Sequence, residues 1–299
     1  MEIAITGGTG FLGTALRHAL DADGHRVRIL SRRADGPDTI HWDPARGELD
    51  PASLRGVDAV VHLAGEGIAS RPWSAAQRER LRTSRTAATR LLVDALGALP
   101  RPPSVLVGAS AVGWYGDRGD EVLEETSASG DDFLADLCRA WEAEAERASA
   151  LGVRTVRIRT GIVLDARGGA LAKQLPAYRL GLGAQAGDGS AWIPWISLHD
   201  HVAAVRHLLG ADVSGPVNLT GPAPVRNRDL TRAVGRALGR PTFLRIPRLV
   251  TRLPLGVGPL VESLLFASQR AMPAVLDRDG FAFRHETIDA ALADVLARR

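Results

Sequence analysis

The chain is poor in the residues that usually announce a specialised chemistry. Its 299 residues contain one cysteine, Cys138, two methionines and two tyrosines, Tyr115 and Tyr178. A single thiol excludes an intramolecular disulfide and any multi-thiolate metal site. Lysine is almost absent as well: of the 37 Lys and Arg residues only Lys173 is a lysine. No segment approaches the roughly 18 uninterrupted apolar residues that a membrane span requires. A strand-like run begins at residue 2, so we expect neither a signal nor a transit peptide, and a cytoplasmic location.

The isoelectric point of 9.7 suggests a nucleic-acid partner, but the net charge of +3 does not. Arginine stays charged to very high pH and lifts the isoelectric point without creating a strong field at neutrality. The arginines are also scattered among acids, as in the run Arg78, Glu79, Arg80. We therefore expect neither nucleic-acid nor membrane binding, and a small-molecule substrate; a homodimer stays open. The remaining composition, 45% hydrophobic and 24% charged, is that of a globular protein with a large core.

What the chain does have is glycine in a particular place. Residues 2–6 read as a β-branched strand, glycines follow at 7, 8, 10 and 13, and an amphipathic helix is predicted over 11–22. Glycines here allow a tight strand-to-helix turn, close approach of a pyrophosphate to the backbone, and close packing of helix on strand. The free N–H groups of the helix then point at the phosphates. Gly7, Thr9, Gly10, Phe11, Leu12 and Gly13 are accordingly candidate cofactor contacts.

Further strands are predicted at 26–31, 57–63, 104–109, 153–159 and 216–220, with helices at about 74–97 and 133–150. Alternation of this kind implies parallel strands joined by helical crossovers, hence a doubly wound Rossmann-type α/β sheet. After about residue 221 prolines punctuate short helical pieces. We expect residues 1–221 to form the nucleotide-binding domain, with 168–192 contributing to a substrate lobe. Residues 222–299 are expected to form a small, mostly helical lobe over the carboxyl ends of the strands.

The end of the second strand selects the cofactor. An acid there bonds the ribose of NAD, whereas basic residues accommodate the 2′-phosphate of NADP. This chain has Ser31, Arg32 and Arg33, and no acid before Asp35. NADP(H) is the expected cofactor. Leu63, Ala64 and Gly65 end another strand with small residues where a cofactor must lie against backbone. Arg85 either faces the cofactor or pairs with an acid, and Asp43 either meets the adenine or caps a turn.

With these residues the chain resembles the extended short-chain dehydrogenase/reductase superfamily, which includes sugar-nucleotide epimerases. It is most similar to the atypical epimerase-family branch of NADP-binding proteins. The matching motifs lie at residues 7–13, 31–32, 62–66, 84–85, 109–116, 130–133, 141–142, 159–164, 181–183, 195–200, 268–270, Pro273 and 280–281. The resemblance implies that Ser31, Arg32, Leu63, Ala64, Arg85 and Val163 contact NADP. It also exposes a departure. The superfamily uses a Tyr-x-x-x-Lys dyad beside a Ser or Thr, and no such pair can be formed from Tyr115, Tyr178 and Lys173. The Ser/Thr position falls at Ala111, with Ser110 adjacent.

Tyr115 and Ser110 are the remaining catalytic candidates; for Tyr115 the alternative is packing or a hydrogen bond to substrate. Glu66, Trp73, Trp195 and Gln269 are candidate pocket walls, the tryptophans more naturally core. No metal site is expected: His199, Asp200 and His201 open a helix, where Asp200 serves as cap or first-turn acid, and neighbouring helical positions diverge. Two readings of function follow. One is an NADP(H)-dependent oxidoreductase or epimerase-like enzyme; the other is an NADP(H)-binding sensor or scaffold without turnover.

Overall fold

The computed structural model describes residues 1–33, 36–252 and 258–297. β1 (Glu2–Thr6) runs into α1 (Phe11–Ala22), followed by β2 (Arg26–Ser31) and β3 (Thr39–His41). β4 (Ala59–His62) leads to α2 (Ala75–Gly97), whose N-cap Ser74 accepts from the Gln77 N–H at 3.2 Å. β5 (Val105–Ala111) continues into a 3₁₀ turn (Val112–Tyr115), then β6 (Val122–Leu123) and α3 (Phe133–Glu146), capped by Asp132. β7 (Arg154–Thr160), β8 (Ile162–Leu164) and α4 (Gly169–Arg179) follow. Three short strands come next: β9 (Ala184–Ala186), β10 (Trp192–Ile193) and β11 (Trp195–Ser197). α5 (Leu198–Gly210) and β12 (Gly215–Leu219) complete the central sheet. The C-terminal region holds β13 (Val225–Arg226), α6 (Asn227–Leu238), β14 (Leu244–Ile246) and α7 (Gly258–Val261). It ends with β15 (Arg270–Ala271), α8 (Ala274–Arg278) and α9 (Ile288–Ala297).

The central sheet has seven strands in the order β12-β7-β5-β4-β1-β2-β3, every adjacent pair parallel. Parallel strands need both faces covered, and the core divides accordingly. Ile3, Ile5, Val107 and Ile158 pack with Leu16, Leu20, Val205 and Leu208 of α1 and α5. The alternate residues Ala4, Val60 and Leu106 pack with Leu92 and Leu96 of α2. Strand order reverses between β1 and β4, so the crevice at their carboxyl ends is where such a sheet takes a ligand.

The predicted main strands fall within two residues of those observed. The helix expected over 133–150 ends at Glu146 and tightens into a 3₁₀ turn over Arg147–Leu151. β3 was not foreseen, because three residues with only Ile40 buried carry no periodic signal.

A third core forms from segments on both sides of residue 221. Leu171, Leu175 and Tyr178 of α4 pack with Ala233 and Val234 of α6 and Ala291, Leu292 and Val295 of α9. β9 pairs with β14, β10 with β13, and β15 with β6. Asp200 clasps the tail to α5: it accepts from the backbone N–H groups of Arg284 (2.9 Å) and His285 (3.1 Å). It lies in the first turn of α5, as expected, whereas the N-cap is Ser197. His199 and His285 approach the same carboxylate, but its oxygens serve those two N–H groups and the Ser197 hydroxyl. Among the described residues, no helix is long and apolar enough to cross a membrane.

Candidate cofactor and substrate site

The turn after β1 is built by backbone necessity. Gly7 adopts φ +70°, and the Gly10 N–H closes the turn on the Gly7 carbonyl at 2.9 Å. A Cβ at Gly13 would run into that same carbonyl, so α1 reaches this close to the strand only without one. Gly10 is different. Its φ is −80°, it is exposed, and a Cβ there meets only the Gly7 carbonyl oxygen at 3.2 Å. Its open side is where a phosphate can approach the helix N-terminus. Thr9 is exposed beside it, while Leu12 packs into the core. The Phe11 ring fills the space that a side chain on Gly168 would need, and the Val163 carbonyl lies beside Gly169. Phe11 and Val163 are thereby brought to one wall.

The end of β4 is fixed to the end of β1. The Ala64 N–H donates to Thr6 Oγ1 at 3.1 Å, and Thr6 Oγ1 lies 2.7 Å from His62 Nδ1. On the far side of the ring, His62 Nε2 is 2.9 Å from Thr89 Oγ1. Thr89 gives its proton to the Arg85 carbonyl and also receives the Trp141 indole N–H, so His62 Nε2 must be the donor and Nδ1 the acceptor. Burial holds His62 neutral, with its pKa lowered to about 4.

Ser31 is half-buried at the end of β2 and accepts from the Arg33 N–H at 3.2 Å. Arg32 and Arg33 are exposed and have no carboxylate partner among the described residues; Asp35 lies outside them. Asp43 accepts from the Ala45 N–H and bridges to Glu48, which makes it a turn residue.

Arg85 lies over Gly65: a Cβ there would sit 3.4 Å from its guanidinium carbon. It donates to the carbonyls of Glu66 (2.9 Å) and Leu81 (3.1 Å), and stacks 5.0 Å from the Trp141 ring centroid. It forms no ion pair among the described residues, and burial lowers its pKa. Opposite it, α3 presents Leu134 and Cys138 one turn apart, both facing Gly113 in the 3₁₀ turn after β5. A Tyr and a Lys four residues apart would need such a face, and here it is apolar. Burial pushes the Cys138 thiol up to about 12, leaving it inert at neutral pH.

The catalytic candidates belong to the interior. Tyr115 is 0% exposed. Its hydroxyl donates toward Asn218 Oδ1 at 2.7 Å, lies 3.1 Å from the Glu124 carbonyl and receives Arg159 at 3.2 Å. Burial raises its pKa against the lowering influence of Arg159. The position after a strand end left catalysis and packing both open; the 3₁₀ turn folds the ring inward, which is the packed arrangement. Ser110 Oγ likewise donates to Glu142 Oε1 at 2.6 Å inside the core. Trp73 and Trp195 are buried, the latter donating to the Ala223 carbonyl. Glu66 is half-exposed at the cleft, and hydrogen bonds from Gln77 and Ser70 hold its carboxyl below the usual range. Gln269 donates to the Gly116 carbonyl at 3.0 Å, tying the tail to the loop after β5.

Seven parallel strands, the glycine turn and the crevice at their carboxyl ends define a Rossmann-type α/β protein. The chain belongs to the NAD-dependent epimerase/dehydratase family, whose model matches residues 3–220. Residues 246–295 match a further domain of unknown function. The epimerase family protein Mb2239 of Mycobacterium bovis is 43% identical over 298 residues, covering 99% of this chain and 98% of that one. The crystal structure of human epimerase family protein SDR39U1 (isoform 2) with NADPH superposes with a TM-score of 0.91 at 34% identity, over 100% of both chains. UDP-N-acetylglucosamine 4-epimerase from Bacillus cereus shares the fold, with a TM-score of 0.77 at 20% identity over 100% of both chains.

Proposed function

We propose that this protein binds NADP(H) in preference to NAD(H) and acts as an oxidoreductase or epimerase-like enzyme on a small molecule. The observation that carries the cofactor choice is the pair Arg32 and Arg33 at the end of β2, exposed and without a carboxylate partner among the described residues. Two guanidinium groups and the Ser31 hydroxyl suit a phosphate dianion. The NADPH in the human relative's structure supports the same reading.

The loop of residues 7–13 and the N-terminus of α1 would hold the pyrophosphate, with Gly10 leaving it room. Leu63, Ala64, Gly65 and Val163 would flank the remainder, with Arg85 beneath. When bound, the nicotinamide supplies hydride exchange with a carbonyl or hydroxyl carbon. Residues 1–221 would carry the cofactor, and 222–299 with 168–192 the substrate, in a cytoplasmic protein. Tyr115 has no route to that exchange. Glu66, held ionised with its carboxyl below the usual range, has no proton to give and is a weak base. The apolar Leu134–Cys138 face favours a second reading, cofactor binding without turnover.

Titration of both reduced cofactors by fluorescence tests the proposal. NADPH should bind more tightly, and Arg32→Ala should weaken it about 10–100-fold while barely changing NADH. Gly10→Val should abolish both with circular dichroism unchanged, because φ −80° tolerates a side chain that the phosphate does not. Equal affinities in the unmutated protein would overturn the assignment. NADPH oxidation across a panel of aldehydes, ketones and sugar nucleotides then separates the enzyme from the binder.

A further inference from the structure

Most arginines of this chain are interleaved with acids, so the sequence as a whole gives no reason for a membrane partner. Two segments depart from that pattern. Residues 166–187 contain Arg167, Lys173 and Arg179 and no acid, and residues 230–261 contain six arginines and no acid. The fold brings the two together, because β9 of the first pairs in parallel with β14 of the second, Ala184 opposite Leu244. Acids from elsewhere reach part of this charge: Arg167 pairs with Asp165 at 2.9 Å, Arg236 with Asp289 at 2.7 Å, and Arg248 with Glu262. Arg179, Arg240 and Arg245 are exposed and have no ion pair among the described residues.

The same corner carries apolar side chains that the core does not use. Among the described residues no large apolar side chain is more exposed than Leu180 at 76% and Phe243 at 75%, and Leu182 is 55% exposed. Single exposed leucines are ordinary; three apolar tips at one place, rimmed by unpaired cations, are not. Leu180 and Leu182 precede β9 and Phe243 precedes β14, so all three stand at the amino end of that pair. The loops that carry them are close together: a Cβ on Gly181 would sit 3.7 Å from the Pro241 ring. They are also fixed. The Leu182 N–H donates to the Ala177 carbonyl at 2.9 Å where α4 ends, and the Arg240 N–H to the Gly235 carbonyl at 2.8 Å where α6 ends. From Phe243 to Ile246 exposure alternates, so the Phe243 ring and the Arg245 guanidinium share the outer face.

We propose that this corner docks on an anionic lipid surface, with Leu180, Leu182 and Phe243 entering the boundary between headgroups and acyl chains. Arg179, Arg240 and Arg245 then meet the lipid phosphates. The apolar tips leave water, and the arginine stems lie along the boundary while their guanidinium groups fork onto phosphate. The charge argues against a second copy of the chain as occupant. A two-fold contact through this corner would set the three arginines against their own copies. The docking is a reversible surface contact that needs no spanning helix, and it rests neither on the cofactor nor on turnover.

Co-sedimentation of the full chain with lipid vesicles tests this. Vesicles of equal parts phosphatidylglycerol and phosphatidylcholine should bind it saturably, and added salt should weaken that binding. Vesicles of phosphatidylcholine alone should bind it at least about tenfold more weakly. Leu180→Gln with Phe243→Gln, which leaves the charge intact, should weaken binding to the anionic vesicles at least about tenfold. Arg240→Gln with Arg245→Gln should weaken it about 25-fold, roughly fivefold for each arginine. Circular dichroism should be unchanged in both double variants, because all four side chains are exposed. No binding to anionic vesicles, or binding that either double variant leaves unchanged, overturns the proposal. So does a concentration-dependent dimer, seen by sedimentation velocity without lipid, that Leu180→Gln with Phe243→Gln abolishes, since the corner is then an interface between copies.

Discussion

Arg159 and Arg85 are both withdrawn from solvent near the carboxyl ends of the central strands, and the fold treats their charges in opposite ways. Arg159 lies on β7 with its side chain 3% exposed, and it meets Glu142 of α3 through two hydrogen bonds of 2.9 and 3.0 Å. Its remaining donors reach Tyr115 and the Glu125 carbonyl, and the Trp114 ring lies 3.9 Å from its guanidinium carbon. That region is electrostatically closed. Arg85, on the cleft face of α2, has two carbonyls and an indole, and no carboxylate pairs with it among the described residues, Glu66 acting on it only electrostatically. A charge that the fold has neutralised is part of the scaffold; one left open has its counter-charge still to come.

The largest effect should follow from opening the closed region. Glu142→Ala removes the counter-ion and leaves a buried guanidinium uncompensated, which costs about 3–5 kcal/mol. Urea unfolding should show this loss. The double variant Glu142→Gln with Arg159→Met should recover much of it, because a neutral pair strands no charge. A loss below about 1 kcal/mol in Glu142→Ala would mean that water already reaches the pair, and the contrast with Arg85 would fail.

Acid sharpens the same contrast, because among the described residues the interior that pairs Arg159 gives His62 and His201 no ion-pair partner. Burial lowers both to about 4, from an ordinary 6.5. The unfolded chain therefore binds these two protons at higher pH than the folded one does. The stability they contribute is fully present above pH 6.5 and is lost as pH falls toward 4, on the order of 3 kcal/mol for each group. Urea midpoints at pH 7.5, 6.0 and 5.0 should fall steadily, and less steeply in His62→Gln. Because exposed carboxylates titrate lower, a flat profile between pH 6.5 and 5 would show that both rings are charged at no cost.

What could be read from the sequence divides along the same line. The glycine turn, the main strands and the Ser31–Arg32 pair are local: each is a short run whose neighbours are its own context. Cys138 and Trp195 were also legible as core from the apolar residues around them. The closed network was not, because its members come from residues 110, 115, 142, 159 and 218 and meet only when β5, α3, β7 and β12 are assembled. For Tyr115 catalysis and packing both stayed open for that reason: its place after a strand is local, while its partner Asn218 lies 103 residues away.

The smallest effect on stability should come from the open arginine itself. Arg85→Met keeps an unbranched apolar stem against Trp141 and removes a charge that burial already disfavours. The half-exposed Glu66 residue loses a donor to its carbonyl that water replaces, and the carbonyl of the buried Leu81 still accepts from the Ser84 hydroxyl at 3.1 Å. Stability should therefore change by about 1 kcal/mol or less in either direction. NADPH affinity should fall about tenfold, the contribution of one charge-assisted contact. Thermal unfolding and cofactor titration on one preparation separate the two. If Arg85→Met destabilises the fold as Glu142→Ala does, Arg85 is scaffold and its apparent openness has no functional meaning. If stability and NADPH binding are both untouched, its counter-charge is not the cofactor's, and a substrate anion becomes the next group to test against it.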